Sequence, residues 1–247
     1  MRRDITSELW QHTTDLCRRV DRMRFSSPVT QVYNPLDYAA AAYRAYLRRF
    51  ARSPIRVLFV GMNPGPWGMA QTGVPFGEIG AVRDWMGINV PIERPPVEHP
   101  KRPVDGFNCV RSEVSGRRLW GLMQQRFGSA ERFFSRQFVA NYCPLLFMEE
   151  SGRNRTPDKL TRAERDALFG ACDDYLDQTI ELLQPEFVVG VGGFARARID
   201  AVLAQRSGIS APSALTVLHP SPANPRANRD WNAEVTSVLE AAGAWPQ

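Results

Sequence analysis

Seventeen residues, GMNPGPWGMAQTGVPFG from Gly61 to Gly77, restrict what this chain can fold into more than any other stretch. They follow a mostly apolar run, Ile55 to Val60, that reads as a buried β-strand. Five glycines and three prolines then crowd into the seventeen positions. Glycine admits close backbone approach and positive φ, whereas proline fixes φ, so together they build a stiff loop of defined shape. A stiff loop at the carboxyl end of a strand is where open α/β sheets place ligands.

The remaining pattern fits that class. Helical spacing predicts amphipathic helices over residues 4–24 and 36–50. A short helix is expected at Gly80 to Met86, and further helices over 112–127 and 194–206 and from about Pro225 to Ala242. Thr161 and Glu164 have capping-box spacing and open a long helix bearing Leu168, Cys172, Leu176, Ile180 and Leu183 on one face. Further strands are read at Gln137–Phe147, Phe187–Val191 and Leu215–Leu218. Residues 88–110 hold five prolines around His99 and read as a long loop, and Ser151–Pro157 reads as a polar one. Strands separated by helices give a mainly parallel four-stranded sheet inside a three-layer α/β/α sandwich. A single domain over 1–247 is expected, with the N-terminal helices of residues 4–50 packed on it.

Composition narrows the chemistry. With 43% hydrophobic and 23% charged residues the chain has the make-up of a soluble globular protein. No apolar run is long enough to cross a bilayer, so no membrane partner is expected. The start, MRRDITSELW, lacks an apolar signal core, and a cytoplasmic location is expected, at the nucleoid if the source is bacterial. Cys17, Cys109, Cys143 and Cys172 are scattered, and the three histidines are not at ligand spacing, so no metal and no other cofactor is expected. The formal net charge is +5, carried almost wholly by arginine because Lys101 and Lys159 are the only lysines. Arginine's planar fork suits phosphate. Basicity admits a nucleic-acid partner without establishing one.

Asn63, Gly192 and His219 each fall just past the carboxyl end of a strand, and Asn141 falls within or near the end of another. No serine or cysteine occupies a nucleophile elbow and no lysine completes a P-loop, which disfavours acyl transfer and P-loop chemistry. Taken singly, the candidates stay ambiguous. Asn63 either holds its own loop or orients a reactant, His219 and Asn141 serve a core or a ligand, and Phe76 is core or stacking wall.

The order of the two motifs, MNPGP and HPSP, on this sheet pattern resembles the uracil-DNA glycosylase superfamily. GMNPGPWGMAQTGVPFG, EHPKRPV, SEVSGRRLWG, CPLLF, SGRN-x-TP and HPSP-x-NP-x-AN are similar to the single-strand-selective monofunctional uracil-DNA glycosylases, over roughly residues 30–245. The resemblance implies a glycosylase fold, an activity on uracil in single- and double-stranded DNA, and a monomer without cofactor. It implies that Asn63 positions the attacking water and that His219 stabilises negative charge on the departing base. An asparagine amide cannot take a proton at neutral pH, which favours bond breakage before water capture. A fixed donor aimed at the leaving group is worth roughly 3–4 kcal/mol in comparable sites.

The same resemblance makes Asn141 the reader of the base edge and Phe76 the stacking wall. It gives Gly65 and Met69 the space around uracil C5, with acceptance of 5-hydroxymethyluracil and rejection of thymine. Pro220, Ser221, Pro222 and Ala223 then belong to a loop that enters the duplex, with Arg226 and Arg229 behind it. Ala223 stands where the family pattern often has arginine, so weaker plugging of duplex DNA is expected unless Arg226 or Arg229 compensates. Trp67 stands where phenylalanine is common and is expected to be a packing change. Other classes remain open: a non-catalytic sensor of damaged or single-stranded DNA, and a nucleoside hydrolase on the same fold.

Overall fold

The computed structural model describes residues 4–206 and 211–246. In chain order its elements are α1 (Ile5–Val20), β1 (Val29–Tyr33), α2 (Pro35–Tyr38), α3 (Ala40–Phe50), β2 (Val57–Gly61) and α4 (Met69–Thr72). There follow α5 (Val114–Phe127), α6 (Ala130–Phe134), β3 (Gln137–Asn141), β4 (Leu146–Glu149) and β5 (Asn154–Arg155). The chain finishes with α7 (Arg162–Leu183), β6 (Phe187–Val191), α8 (Gly193–Leu203), β7 (Ser213–Val217) and α9 (Ala227–Ala241).

Four strands form a sheet in the order β3-β2-β6-β7, every neighbouring pair parallel. The central strand β2 is buried along its whole length, as a continuous apolar strand should be when both sheet faces are covered. Helices α1, α7 and α8 pack together as one covering group, and α5, α6 and α9 as another. Around β3 the rings of Tyr46, Phe50, Phe134 and Phe138 form a cluster, with Phe50 and Phe134 stacked 4.0 Å apart. One buried cluster runs from Leu9 to Trp245.

Local chemistry sets several boundaries. Asp4 accepts the N–H of Ser7 at the start of α1. At α7 the reciprocal capping box is present, the Thr161 hydroxyl taking the Glu164 N–H and the Glu164 carboxylate taking that of Thr161. Leu168, Cys172, Leu176, Ile180 and Leu183 are all buried on its inner face.

The structure corrects the sequence reading in three places. The run Gln137–Phe147 is two strands, because the chain leaves the parallel sheet after Asn141 and re-enters a different one at Leu146. That second sheet, β1-β4-β5, is antiparallel and unforeseen, and Asn154–Arg155 within the expected polar loop supplies its short outer strand. The helix read over 36–50 breaks at Ala39 into α2 and α3. The 88–110 segment has little regular structure, yet it is tied down. Tyr33 Oη donates to the Arg102 carbonyl and accepts the His99 N–H, and His99 is buried with Nε2 3.1 Å from the Glu149 carbonyl.

Candidate active site

Parallel register brings the singled-out residues to one edge. Gly61, the last residue of β2, lies opposite Asn141, the last of β3, and Val191 of β6 lies opposite Val217 of β7. Asn63, Gly192 and His219 follow within two residues of those ends. The loop after β2 folds back so that Phe76 covers the edge. A Cβ on Gly61 would collide with both Asn141 Oδ1 and the Phe76 ring, so the amide and the ring share the surface this glycine leaves. The same ring lies 6.4 Å from the His219 ring, centroid to centroid. Asn141, Phe76 and His219 thus face one space.

Phe76 sits there at φ 53°, the left-handed region that bulky residues avoid. Such a conformation costs of the order of 1–3 kcal/mol and persists where neighbours impose it. Here Trp120 Nε1 donates to the Phe76 carbonyl at 3.0 Å, and Gly116 of α5 lets that carbonyl approach the helix backbone.

Asn63 has one half committed. Its Nδ2 donates to the Leu145 carbonyl at 3.1 Å, which fixes the amide and turns Oδ1 into an oriented acceptor. Holding a loop and presenting an oxygen are therefore the same act.

His219 is fixed as well. The Ser221 N–H donates to Nδ1 at 3.1 Å, so the ring proton resides on Nε2, which points a single N–H outward. Burial pushes the imidazole below its ordinary value of 6.5, so the ring is neutral at pH 7. Gly192, at φ 96°, places its Cα hydrogens against His219, where a Cβ would lie 3.1 Å from the His219 Cβ.

On the other flank Asn141 Nδ2 lies 3.2 Å from Met69 Sδ. Met69 ends a turn built from Gly65 and Gly68, whose missing side chains leave room for the carboxyl of Glu113. Behind it, Gln71 ties the turn to the proline-rich segment: its amide donates to the Pro66 and Pro103 carbonyls, and Asp105 N–H donates back. Trp67 is not simply packing. The guanidinium groups of Arg102 and Arg111 lie over its ring, 5.2 and 4.6 Å from the centroid.

The segment Pro220–Arg229 rises beside His219. Pro220 is buried, whereas Pro222 and Ala223 are exposed. Arg118 of α5 holds this loop, donating to the Pro220 carbonyl at 3.1 Å and to Asn228 Oδ1 at 2.8 Å, and Asn228 Nδ2 donates to the Pro222 carbonyl. Arg226 is paired with Glu234 on α9. Arg229 is exposed and has no ion pair among the described residues. A cleft of about 880 Å³ between α5 and α9 contains none of the residues singled out at the sheet edge.

Sequence reasoning missed Glu113 and Arg118. Both lie in SEVSGRRLWG, where a charged residue just before a helix and another in its second turn are compatible with an exposed helix start. Only the tertiary approach of Gly65 and of Pro220 gives either a role.

The model of the Uracil DNA glycosylase superfamily matches residues 49–241. The single-strand selective monofunctional uracil DNA glycosylase of Bos taurus is 45% identical over 244 residues, covering 99% of this chain and 89% of the bovine one. The Mus musculus protein of the same name is 46% identical over 228 residues, 92% of this chain and 81% of its own. The crystal structure of wild-type Pedobacter heparinus SMUG2 superposes with a TM-score of 0.71 over 97% of both chains, at 17% identity, and speaks for the fold alone. The chain belongs to the uracil-DNA glycosylase superfamily and, within it, to the single-strand-selective monofunctional uracil-DNA glycosylases.

Proposed function

We propose that this chain is a monofunctional DNA glycosylase that hydrolyses the N-glycosidic bond of uracil, and of oxidised pyrimidines such as 5-hydroxymethyluracil, in DNA. The observation that carries the reading is the pairing of two pre-oriented groups at one sheet edge. Asn63 presents an acceptor and His219 a donor, at the sheet edge that Phe76 and Asn141 share.

The base is extruded from its stack and lies against Phe76. Asn141 matches the uracil edge, its NH2 to O4 and its carbonyl to the N3–H. Cytosine reverses both groups and leaves polar atoms unpaired. As the bond between C1′ and the base breaks, the bonding electrons go to the base, and His219 Nε2–H stabilises the charge at O2. The sugar becomes an oxocarbenium-like cation. A water whose hydrogen is held by Asn63 Oδ1 adds to C1′ and loses its other proton to solvent, leaving an abasic site. Neither motif contains a lysine, so no Schiff base and no strand cleavage follow.

The protein acts as a monomer in the cytoplasm, on single- and double-stranded DNA, using Pro220–Ala223 and Arg229 against the strand. Binding then weakens steeply with salt as counterions are released. No helix of the described residues is long and apolar enough to cross a membrane.

Base release from oligonucleotides bearing uracil, 5-hydroxymethyluracil, thymine, hypoxanthine or xanthine, in both strand forms, tests the reading. Release of uracil and 5-hydroxymethyluracil with intact strands supports it. Intact uracil in both forms overturns it in favour of a DNA sensor. Activity on free deoxyuridine alone, insensitive to salt, identifies a nucleoside hydrolase.

A further inference from the structure

Two motifs of the sequence, EHPKRPV and SGRN-x-TP, take no part in the chemistry proposed above, yet they meet beside the first-motif loop. The turn from His99 to Arg102 is closely tied. Its backbone closes from the Arg102 N–H to the His99 carbonyl, His99 Nδ1 accepts the Lys101 N–H, and Tyr33 Oη donates to the Arg102 carbonyl. Gly152 lies against this turn: a Cβ there would stand 3.2 Å from both Arg102 Cζ and Lys101 Cβ, and Arg153 follows it. Gln71 joins the next carbonyl, that of Pro103, to the first-motif loop. Trp67 of that loop then collects two of the cations, with Arg102 and Arg111 over its ring.

The charge gathered here is not neutralised. Lys101, Arg102, Arg111 and Arg153 have no ion pair among the described residues. The nearby carboxylates are engaged elsewhere: Glu98 pairs with Arg94 and takes the Val104 N–H, and Glu149 pairs with Arg155. Glu113 turns to Gly65 and Gly68, and the exposed Glu150 meets Lys101 Nζ with its carbonyl, not its carboxylate. A guanidinium over an aromatic face is held through its charge and keeps its in-plane N–H donors. Arg111 is exposed and spends none of its side-chain donors on the described residues, and the buried Arg102 Nε has no acceptor. Such forks match phosphate oxygens two at a time. Cations set in place beforehand lose little freedom on binding.

This surface lies close to the reacting nucleotide. Trp67 follows Asn63 by four residues, which span at most about 14 Å, and successive nucleotides of a duplex strand advance by about 3.4 Å. The ring therefore stands within about four nucleotides of the one at Asn63. Helix α5 bridges to the other DNA-facing segment, since Glu113 meets Gly65 and Gly68 while Arg118, about 7.5 Å further along, holds Pro220. We infer that Lys101, Arg102, Arg111 and Arg153, with Trp67 as their positioning residue, form a second DNA surface. It grips the phosphodiester backbone of the uracil-bearing strand a few nucleotides from the extruded base. The inference rests on the reading of DNA as the substrate. All of its contacts go to one strand, so it serves single strands, where the Pro220–Ala223 loop has no duplex to enter.

Single-turnover uracil release from single strands, followed against enzyme and salt concentration, tests this in wild type, Trp67→Ala, Trp67→Phe and the triple variant Lys101→Ala/Arg111→Ala/Arg153→Ala. All three side chains of the triple variant are exposed, so its folding does not depend on them. It is expected to raise the half-saturating concentration at least about ten-fold, far more than it lowers the maximal rate. Its plot of log affinity against log salt is expected to flatten by about two, each single-strand phosphate contact contributing about 0.7. Trp67→Ala shifts half-saturation in the same direction, and Trp67→Phe, which keeps an aromatic face, stays within about three-fold of wild type. Trimming the oligonucleotide back to the uracil on one side, and not on the other, abolishes the difference between wild type and the triple variant. Unchanged half-saturation and salt slope in the triple variant, or a loss confined to the maximal rate, overturn the inference while an active wild type leaves the proposed function standing. Wild-type protein that releases no uracil removes both.

Discussion

Asn63 and His219 share a design in which one polar atom is tied to the backbone so that the other is aimed. Leu145 takes the Asn63 amide hydrogen, and Ser221 supplies the hydrogen that His219 Nδ1 accepts. Glu113 is the opposite case, a carboxyl with no donor among the described residues. Its raised value has a sign that stability measurements can read. The folded chain holds the Glu113 proton up to about pH 7, while the unfolded chain releases it near the ordinary value of 4.5. Between those values the folded state binds more protons, so stability falls as pH rises and the penalty is fully present above 7. Glu113→Gln removes it. Thermal unfolding is expected to show the variant gaining on wild type at pH 8, by up to about 3 kcal/mol, with the gain vanishing near pH 4.5. A gain independent of pH contradicts the raised value. His219 tilts the other way. Burial lowers its value, so its contribution is intact above 6.5 and fades as pH falls below it.

Among the elements, α5 links the two halves of the site. Gly116 and Trp120 seat the Phe76 carbonyl, and Arg118 clasps the Pro220–Asn228 loop. Arg118→Ala is expected to reduce uracil release from duplex several-fold more than from single strands, since only the duplex needs a rigid loop to open it. Arg118→Lys is expected to rescue poorly, because a lysine lacks the planar fork that spans the Pro220 carbonyl and the Asn228 amide at once. Equal losses on both substrates in an activity comparison contradict this. Ala223→Arg is expected to raise duplex activity relative to single strands, supplying a side chain long enough to occupy the vacated stack. The β6 strand, read at Phe187–Val191, and the capped α7 were legible because local signals suffice for them: a bounded apolar run and a reciprocal side-chain cap. The sheet β1-β4-β5 was not. Its strands are two to five residues long, and β1 finds its partner more than a hundred residues away, so nothing local marks it.

At the scale of the whole molecule, parallel pairing turns four distant sequence positions into one edge, and three of them could be read from the sequence as strand ends. Asn63, Gly192 and His219 follow apolar runs that stop there, whereas the apolar stretch continues past Asn141 and hides its strand end, and the order β3-β2-β6-β7 sets the four along one edge. What could not be read is how the connecting segments close over that edge. The left-handed Phe76, the clasp of Arg118 and the placement of Glu113 depend on contacts between segments that only the assembled layers bring together. The central claim is that this edge breaks a glycosidic bond with one oriented acceptor and one oriented donor. Single-turnover uracil release from a single-stranded oligonucleotide, measured beside DNA binding for wild type, Asn63→Ala and His219→Ala, tests it most directly. The account predicts losses of about 10²–10³-fold in release for His219→Ala, a comparable or larger loss for Asn63→Ala, and binding within a few-fold of wild type in both. Release that survives both substitutions, or falls only in step with binding, would contradict it.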